Sequence, residues 1–254
     1  MNKTWIITWR DFKSNFTSPI GYIFITAFLG LLGYMFFFNL YHFSLQNLQY
    51  QQYNMGKGVS ISDGIVKPLF GNMNVLMFII MPFLTMRLFA EEKKNHSIEL
   101  LLTAPVTTTQ MVLGKFLSAV MVLALMLLLT LFYPIVLAIA GNPDPGPIVG
   151  GYMGTILMGA SFIAIGVFCS AVTENQIVAA SLSFGLILFF WLISWASQSA
   201  GPVVGDILNN LSLISHYNNF SRGLLDSSDA VFYLSFIGFW LFLAHRVLES
   251  YRWR

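Results

Sequence analysis

The sequence has 254 residues, of which 56% are hydrophobic, 16% aromatic and only 9% charged, and its formal net charge is +2. These values exclude an ordinary soluble globular domain and indicate an integral membrane protein. The basic residues form no stripe that would bind nucleic acid, and the single cysteine, Cys169, excludes an intramolecular disulfide and a cysteine-rich metal site.

The first predicted element, residues 1–17, is a helix that lies in the membrane interface. Four aromatic side chains follow i, i+4, i+7, i+11 spacing and share one helix face: Trp5, Trp9, Phe12 and Phe16. Basic residues flank this face, so we expect the rings to enter the interface and the cations to lie near anionic lipid. A signal-peptide n-region is the alternative, but the following apolar run is too long for it and has no small-residue cleavage pattern.

Six apolar segments then reach the length of about 20 residues that a membrane-spanning helix needs. They are residues 20–41, 73–89, 111–139, 148–172, 177–197 and 230–247, and none carries a charge in its middle. With the amino terminus inside, ten of the 13 lysine and arginine residues fall on the inner side, which places both termini in the cytoplasm. The sequence therefore predicts a single all-α transmembrane domain over residues 1–254.

The charged block, residues 87–115, joins the second and third spans on the inner side. Within it, Asn95 or Ser97 can cap a short amphipathic helix that Pro105 ends, and residues 107–110 match a capping box that begins the third span. This pattern predicts a cytoplasmic coupling region over residues 90–110 that contacts a partner. The alternative is a solvated loop that merely joins two spans, although such a loop gains nothing from the leucines at positions 100–102.

Three connections are predicted on the outer side. Residues 42–72 show no strong helix or strand pattern, and the three prolines in residues 141–147 predict a rigid hairpin that continues neither flanking helix. In residues 200–229, apolar side chains keep helical spacing opposite polar ones: Val204, Ile207, Leu208, Leu211 and Ile214. This spacing favours a re-entrant or interfacial segment over a simple loop.

The fourth span is predicted to be the packing centre of the bundle. It contains small residues that let helix backbones approach closely: Gly154, Gly159, Ala160, Ser161, Ala164 and Gly166. The turn at residues 173–175 is so short that the fourth and fifth spans must be antiparallel neighbours.

No sequence pattern here predicts catalysis. The four histidines, at positions 42, 96, 216 and 245, fall at span ends or in connections, so each is interpreted as an interfacial residue. All eleven acidic residues lie outside the centres of the spans, which argues against a carrier coupled to protons or sodium. The chain also has no P-loop motif and no metal-site motif, so we expect a protein that is not an enzyme and takes its energy from another subunit.

Nearly the whole chain resembles the membrane subunits of type 2 ABC exporters, the ABC-2 type permeases. The resemblance rests on the interfacial helix, the six spans and above all the string from Thr85 to Phe116, which is similar to that family's acidic turn and coupling helix. Residues 141–146, 165–180 and 214–229 are similar to the gliding-motility-associated permease subfamily.

This resemblance implies a permease subunit whose partner, a separate P-loop ATPase, holds the ATP and magnesium, while this chain holds no cofactor. It implies a second permease-type subunit or a second copy of this chain, with or without an auxiliary membrane subunit, in the bacterial cytoplasmic (inner) membrane. It matches residues 203–225 to the outer re-entrant region that closes the pathway, and we expect the gate there to be apolar because Asp206, Arg222 and His216 are its only ionisable groups. The residues that it assigns to ATPase coupling are Arg87, Glu91, Glu92, Ile98, Glu99, Leu100, Leu101, Leu102, Thr103 and Pro105.

Two alternatives to an ATP-driven exporter stay open at the level of sequence. One is an ion-coupled secondary carrier that acts alone. The other is a membrane scaffold that converts ATPase strokes into mechanical or assembly work and passes no solute.

Overall fold

The computed structural model describes residues 3–17, 19–52, 60–98, 106–141, 143–199, 201–224 and 226–252. These ranges consist of helices and short turns and contain no strand. The helices are α1 (Lys3–Thr17), α2 (Pro19–Gln52), α3 (Lys67–Thr85), α4 (Arg87–Lys94), α5 (Thr108–Thr130), α6 (Phe132–Ala140), α7 (Pro145–Val172), α8 (Gln176–Ser199), α9 (Pro202–Leu211), α10 (Leu213–Ser221) and α11 (Ser227–Arg252). A π-helical turn, Ser62–Val66, leads directly into α3.

Six stretches of the described helices are long and apolar enough to cross a membrane. They are Gly21–Tyr50, Ser62–Lys94, Thr108–Ile139, Pro145–Val172, Gln176–Ser199 and Ser227–Tyr251. Each predicted span overlaps one of these stretches, so the prediction of an all-helical, multi-pass chain is confirmed. The second span consists of α3 and α4, and the third consists of α5 and α6 joined at Leu131.

The first two predicted outer connections are more helical than expected. Helix α2 continues to Gln52 because Gln and Leu are good helix formers and neither glycine nor proline occurs between Gly33 and Gly56. Helix α7 begins at Pro145, inside the predicted proline hairpin, because proline is tolerated in the first turn of a helix. The Asp144 carboxylate caps this helix by accepting a hydrogen bond from the Gly146 N–H at 3.1 Å.

Helix α7 is the packing centre that the sequence predicts. A side chain at Gly159 would lie 2.7 Å from the Leu123 side chain of α5, and one at Gly166 would lie 1.9 Å from the Thr85 hydroxyl of α3. The Gly166 contact leaves no room for a Cβ atom, and at Gly159 a Cβ atom would require the Leu123 side chain to move. Around α7 the buried core is built from large apolar residues of the other spans, including Phe28, Met77, Ile187 and Tyr233.

Helix α1 packs against the start of α5. Ile7 and Thr8 are buried in this contact, and the Thr8 hydroxyl donates to the Gly114 carbonyl at 3.1 Å. A Cβ atom at Gly114 would lie 2.8 Å from the Ile7 side chain, so the two helices cross closely at this glycine. This contact fixes α1 beside the third span.

Candidate functional site

The predicted aromatic anchors of α1 form a continuous ladder on the face away from α5. Ring centroids are 6.5 Å apart between Trp5 and Trp9, 5.8 Å between Trp9 and Phe12, and 5.0 Å between Phe12 and Phe16. Trp5 and Trp9 are about half exposed. Phe12 and Phe16 are partly buried and pack against the core, so Trp5 and Trp9 are the members of this row that are exposed as an interfacial anchor requires.

Helix α4 carries the first part of the charged block, and the fourth span caps it. The Ser170 hydroxyl of α7 accepts hydrogen bonds from the backbone N–H groups of Phe89 at 2.9 Å and Ala90 at 3.0 Å. The same hydroxyl donates to the Met86 carbonyl at 3.0 Å. These N–H groups belong to the first turn of α4, where backbone N–H groups have no carbonyl acceptor within the helix. A tertiary contact to α7 therefore fixes where α4 begins.

Four charged residues from α1, α4 and α5 form one cluster. Lys115 of α5 is 3% exposed, and its Nζ lies 2.8 Å from Glu92 Oε1 and 3.2 Å from Asp11 Oδ2. Arg10 of α1 adds a second cation, 3.2 Å from the same Glu92 oxygen and 2.7 Å from Asp11 Oδ1. Burial opposes the charge on Arg10, but the carboxylates of Asp11 and Glu92 outweigh it and raise the pKa of Arg10. The cluster links α1, α4 and α5.

Lys93 connects α4 to the carboxyl-terminal ends of the fourth and sixth spans. It is 3% exposed, and its ammonium group donates to the Ala171 carbonyl. The same group lies 3.9 Å from the centroid of the Tyr251 ring, and the Tyr251 hydroxyl donates to Glu174 Oε1 at 2.6 Å. Helix α1, the charged block and the carboxyl-terminal end of α11 therefore share one end of the bundle, as their predicted common side requires.

The predicted coupling residues that the structure describes divide into inward and outward groups. Glu92 faces Lys115 and Arg10, and Ile98 is buried. Arg87 and Glu91 lie further out and form an ion pair with an Nε to Oε2 distance of 3.1 Å. The remaining predicted coupling residues lie outside the described ranges: Glu99, Leu100, Leu101, Leu102, Thr103 and Pro105.

The two helix caps predicted in the charged block have different outcomes. Asn95 ends α4, and the Ser97 hydroxyl donates to the Glu92 carbonyl at 3.2 Å. Residues 97 and 98 are helical but the described range ends there, so the cap of the short helix stays a prediction. The reversal occurs at His96, whose φ of 55° is in the left-handed region. The capping box that begins the third span is confirmed: the Gln110 N–H donates to the Thr107 hydroxyl, and the Thr107 N–H donates to Gln110 Oε1.

A polar cavity of about 310 Å³ lies between α1 and the charged block. Its lining includes the cations of Arg10, Arg87 and Lys115 and the carboxylates of Glu91 and Glu92. Among the described residues no group of three histidine, cysteine, aspartate or glutamate side chains could hold a metal ion. The arrangement suits the binding of a polar partner surface, because it presents both signs of charge at one end of a rigid junction.

The predicted gate residues fall on two helices instead of one. Helix α9 ends at Leu211. The Ser212 hydroxyl caps the amino terminus of α10 by accepting a hydrogen bond from the Ser215 N–H. Val204, Ile207 and Leu211 are at least half exposed on α9, and Leu208 and Ile214 are partly buried. The residues of this segment that enter the core are Leu213, Tyr217 and Phe220 of α10.

Helix α10 is held to the start of the sixth span by a buried carboxylate. Asp229 is 3% exposed, and its Oδ1 lies 2.6 Å from His216 Nδ1 while its Oδ2 accepts from Asn219 Nδ2 at 2.9 Å. The other ring nitrogen of His216 lies 3.1 Å from the Asn210 carbonyl oxygen. Both ring nitrogens of His216 thus face oxygen atoms, one of Asp229 and one of Asn210.

Three polar side chains, one each from α3, α7 and α10, are buried together. Tyr217 lies close enough to Thr155 of α7 and Asn74 of α3 for both to act on its phenol group, although none of the three side chains forms a hydrogen bond of ordinary geometry among the described residues. Burial raises the pKa of Tyr217 to about 12, with Thr155 and Asn74 opposing that change. The phenol therefore stays protonated at neutral pH.

Sequence reasoning missed several residues that build these sites. Ser170, Asp11 and Asp229 each make contacts that only the packing reveals. A signal was present for Asp11, the one acid among the basic residues of α1, because an isolated opposite charge on an amphipathic helix indicates a partner. Ser170 carries no such signal, since serine is common among the small residues of a packed span.

Comparison with known families identifies one match. A model for a family described as "ABC-2 family transporter protein" matches residues 5–245. These residues cover most of α1, the charged block, five candidate spans and the sixth as far as His245. No curated protein matches the chain.

Proposed function

Because the chain belongs to the ABC-2 family of transporter proteins, we propose that it is the permease subunit of an ABC transporter and is driven by a separate P-loop ATPase. Membership of this family implies an ATPase partner and a membrane location. We assign the complex to the bacterial cytoplasmic (inner) membrane, with ATP and magnesium bound by the partner. The similarity of residues 141–146, 165–180 and 214–229 supports a gliding-motility-associated type of transporter.

The observation that carries this proposal is the ion cluster of Arg10, Asp11, Glu92 and Lys115. It joins α1, α4 and α5, while Lys93 joins α4 to the ends of the fourth and sixth spans. A force applied to the charged block therefore moves the second and third spans together with α1. That is the property that a subunit needs if it receives its motion from an ATPase below the membrane.

The complex that we propose contains two permease-type subunits, either two copies of this chain or this chain and a related one. The centre of the described bundle is filled by large side chains, including Phe28, Phe162 and Tyr233, each fully buried. A path through the membrane would then form between subunits, and the first span, whose described helix is mostly exposed, is available to face a second subunit or lipid.

Co-expression with the P-loop ATPase of a neighbouring reading frame tests the proposal. We expect the two proteins to co-purify and the chain in lipid nanodiscs to increase the rate of ATP hydrolysis. Leu101→Asp and Glu91→Lys should each abolish that increase, because one would disrupt the predicted apolar docking helix and the other reverses an outward-facing charge. Asp206→Lys is the matched control, since Asp206 is an exposed acid of α9, away from the charged block.

Two results would overturn the assignment. The first is ATPase stimulation that stays unchanged in both Leu101→Asp and Glu91→Lys while both variants keep the wild-type melting temperature. The second is transport by the purified chain in vesicles that carry a proton or sodium gradient and no nucleotide, which would identify a secondary carrier.

A further inference from the structure

A groove of about 340 Å³ lies between the first turns of α5 and the last turns of α11. The two helices are antiparallel here, and the groove opens at the end of the bundle that holds the charged block. Its position therefore corresponds to the boundary between the apolar membrane interior and the headgroup layer of one leaflet.

The floor of the groove is apolar. Leu113 is 38% exposed and Phe242 is 53% exposed, and Val112 and Leu241 complete the lining between them. A concave apolar strip at this depth suits a lipid acyl chain, because it offers contact on more than one side.

The headgroup end of the groove carries two basic side chains. The Arg246 guanidinium lies over the Phe242 ring, 5.1 Å from its centroid, so the cation is placed at the edge of the apolar floor. His245 lines the same end, and Thr109 of α5 adds a hydroxyl. Basic groups between spans at this level are suited to lipid phosphate.

One acid faces these basic groups. Arg246 Nη1 donates to Glu249 Oε2 at 3.0 Å, and His245 Nδ1 lies 3.9 Å from the same oxygen. A guanidinium group has five N–H donors, and this ion pair occupies one of them. Arg246 is 62% exposed at its side chain, so its other donors are accessible to an incoming phosphate.

We propose that this groove binds one anionic phospholipid of the adjoining leaflet. Arg246, His245 and Thr109 bind the phosphodiester, and Leu113, Leu241 and Phe242 contact an acyl chain. The bound lipid holds α11 against the start of α5, directly after the charged block. This site is independent of ATPase coupling, so its failure would leave the proposed function unaffected.

Native mass spectrometry of the purified full chain tests the site with three probes: phosphatidylglycerol, diacylglycerol and inorganic phosphate. We expect one phosphatidylglycerol molecule to be retained at low lipid excess and diacylglycerol to be retained at least tenfold more weakly. Millimolar inorganic phosphate should not displace the lipid, because it makes no contact with the apolar floor.

Two variants separate the headgroup and chain contacts. Arg246→Gln and Leu113→Trp should each reduce phosphatidylglycerol retention about tenfold, which corresponds to about 1.4 kcal/mol. Lys94→Gln is the matched control, because Lys94 is an exposed cation at the same end of the bundle outside the groove. Equal retention by the wild type and both groove variants would overturn the site, as would displacement by inorganic phosphate or equal retention of diacylglycerol.

Discussion

Lys115 is 3% exposed and lies between the carboxylates of Glu92 and Asp11, with Arg10 at the edge of the same cluster. A buried ammonium group is tolerated only when acceptors compensate for its lost hydration. The lysine therefore serves the structure in two ways: it neutralises two acids and it holds α1 and α4 against α5. At the scale of the residue, this is the contact that holds α1, α4 and α5 together.

Replacement of Lys115 by methionine should destabilise the protein by about 3 kcal/mol, because Asp11 and Glu92 would lose their buried cation and keep only the more exposed Arg10. Thermal unfolding in detergent measures the effect. The control is Asp63→Asn, which breaks an exposed ion pair with Lys67 and should leave the melting temperature nearly unchanged. In the double variant Lys115→Met/Glu92→Gln, the loss of stability should be smaller than the sum of the losses in the two single variants. Strict additivity would show that the two residues do not interact.

Asp229 is the corresponding residue at the other end of the bundle. Asp229→Asn removes the charge that faces His216 and should weaken the attachment of α10 by about 2 kcal/mol. Amide hydrogen exchange over residues 213–221 should then be about thirtyfold faster. Asp206→Asn, an exposed change on the neighbouring helix, should leave that exchange unchanged. Equal protection in both variants would show that the carboxylate does not hold the helix.

At the scale of the element, α7 determines how closely the other helices can approach. Its glycines face α5, α3 and α10 in turn, and a Cβ atom at Gly150 would lie 2.3 Å from the Phe220 carbonyl oxygen of α10. Helices in a membrane associate through close packing of this kind, since lipid provides no hydrophobic driving force between them. The fourth span is therefore the element around which the remaining spans and α10 are arranged.

The variant Gly166→Ala tests this role. The new Cβ would lie 1.9 Å from Thr85 Oγ1 and 2.5 Å from Thr85 Cβ, so rotation of the threonine side chain cannot relieve the overlap. We expect a loss of about 1 to 3 kcal/mol in thermal unfolding. Gly185→Ala is the control, because a Cβ there meets nothing within 4 Å, and helix propensity predicts a neutral or slightly stabilising effect. A melting temperature as high as that of Gly185→Ala would contradict the close contact.

At the scale of the whole molecule, the charged groups are collected at the two ends and the apolar helices lie between them. One end holds α1, the charged block and the end of α11, and the other holds α9 and α10 with the Asp229 contact. The proposed ATPase partner requires the charged block to face the compartment that contains the ATPase.

Single-cysteine labelling measures that orientation. Native Cys169 is 1% exposed and should give little background with a membrane-impermeant maleimide. In intact cells we expect Asn209→Cys to be labelled and Lys94→Cys to be labelled only after permeabilisation, because ten of the 13 basic residues predict a cytoplasmic charged block. The reverse pattern would place the block outside and remove its access to a cytoplasmic ATPase.

The sequence by itself determined the class of fold, the six spans, the capping box at Thr107 and the small-residue face of α7. These features follow from hydropathy, helix-end chemistry and side-chain size, which act over a few turns of one helix. It could not predict that Glu92 turns inward to Lys115, that Ser170 caps α4, or that Leu213, Tyr217 and Phe220 of α10 enter the core while Val204, Ile207 and Leu211 of α9 stay exposed. Only the tertiary structure decided these points, because each depends on a contact between groups that are far apart in the chain. The residues next to a side chain in the sequence do not specify which distant partner compensates for its burial.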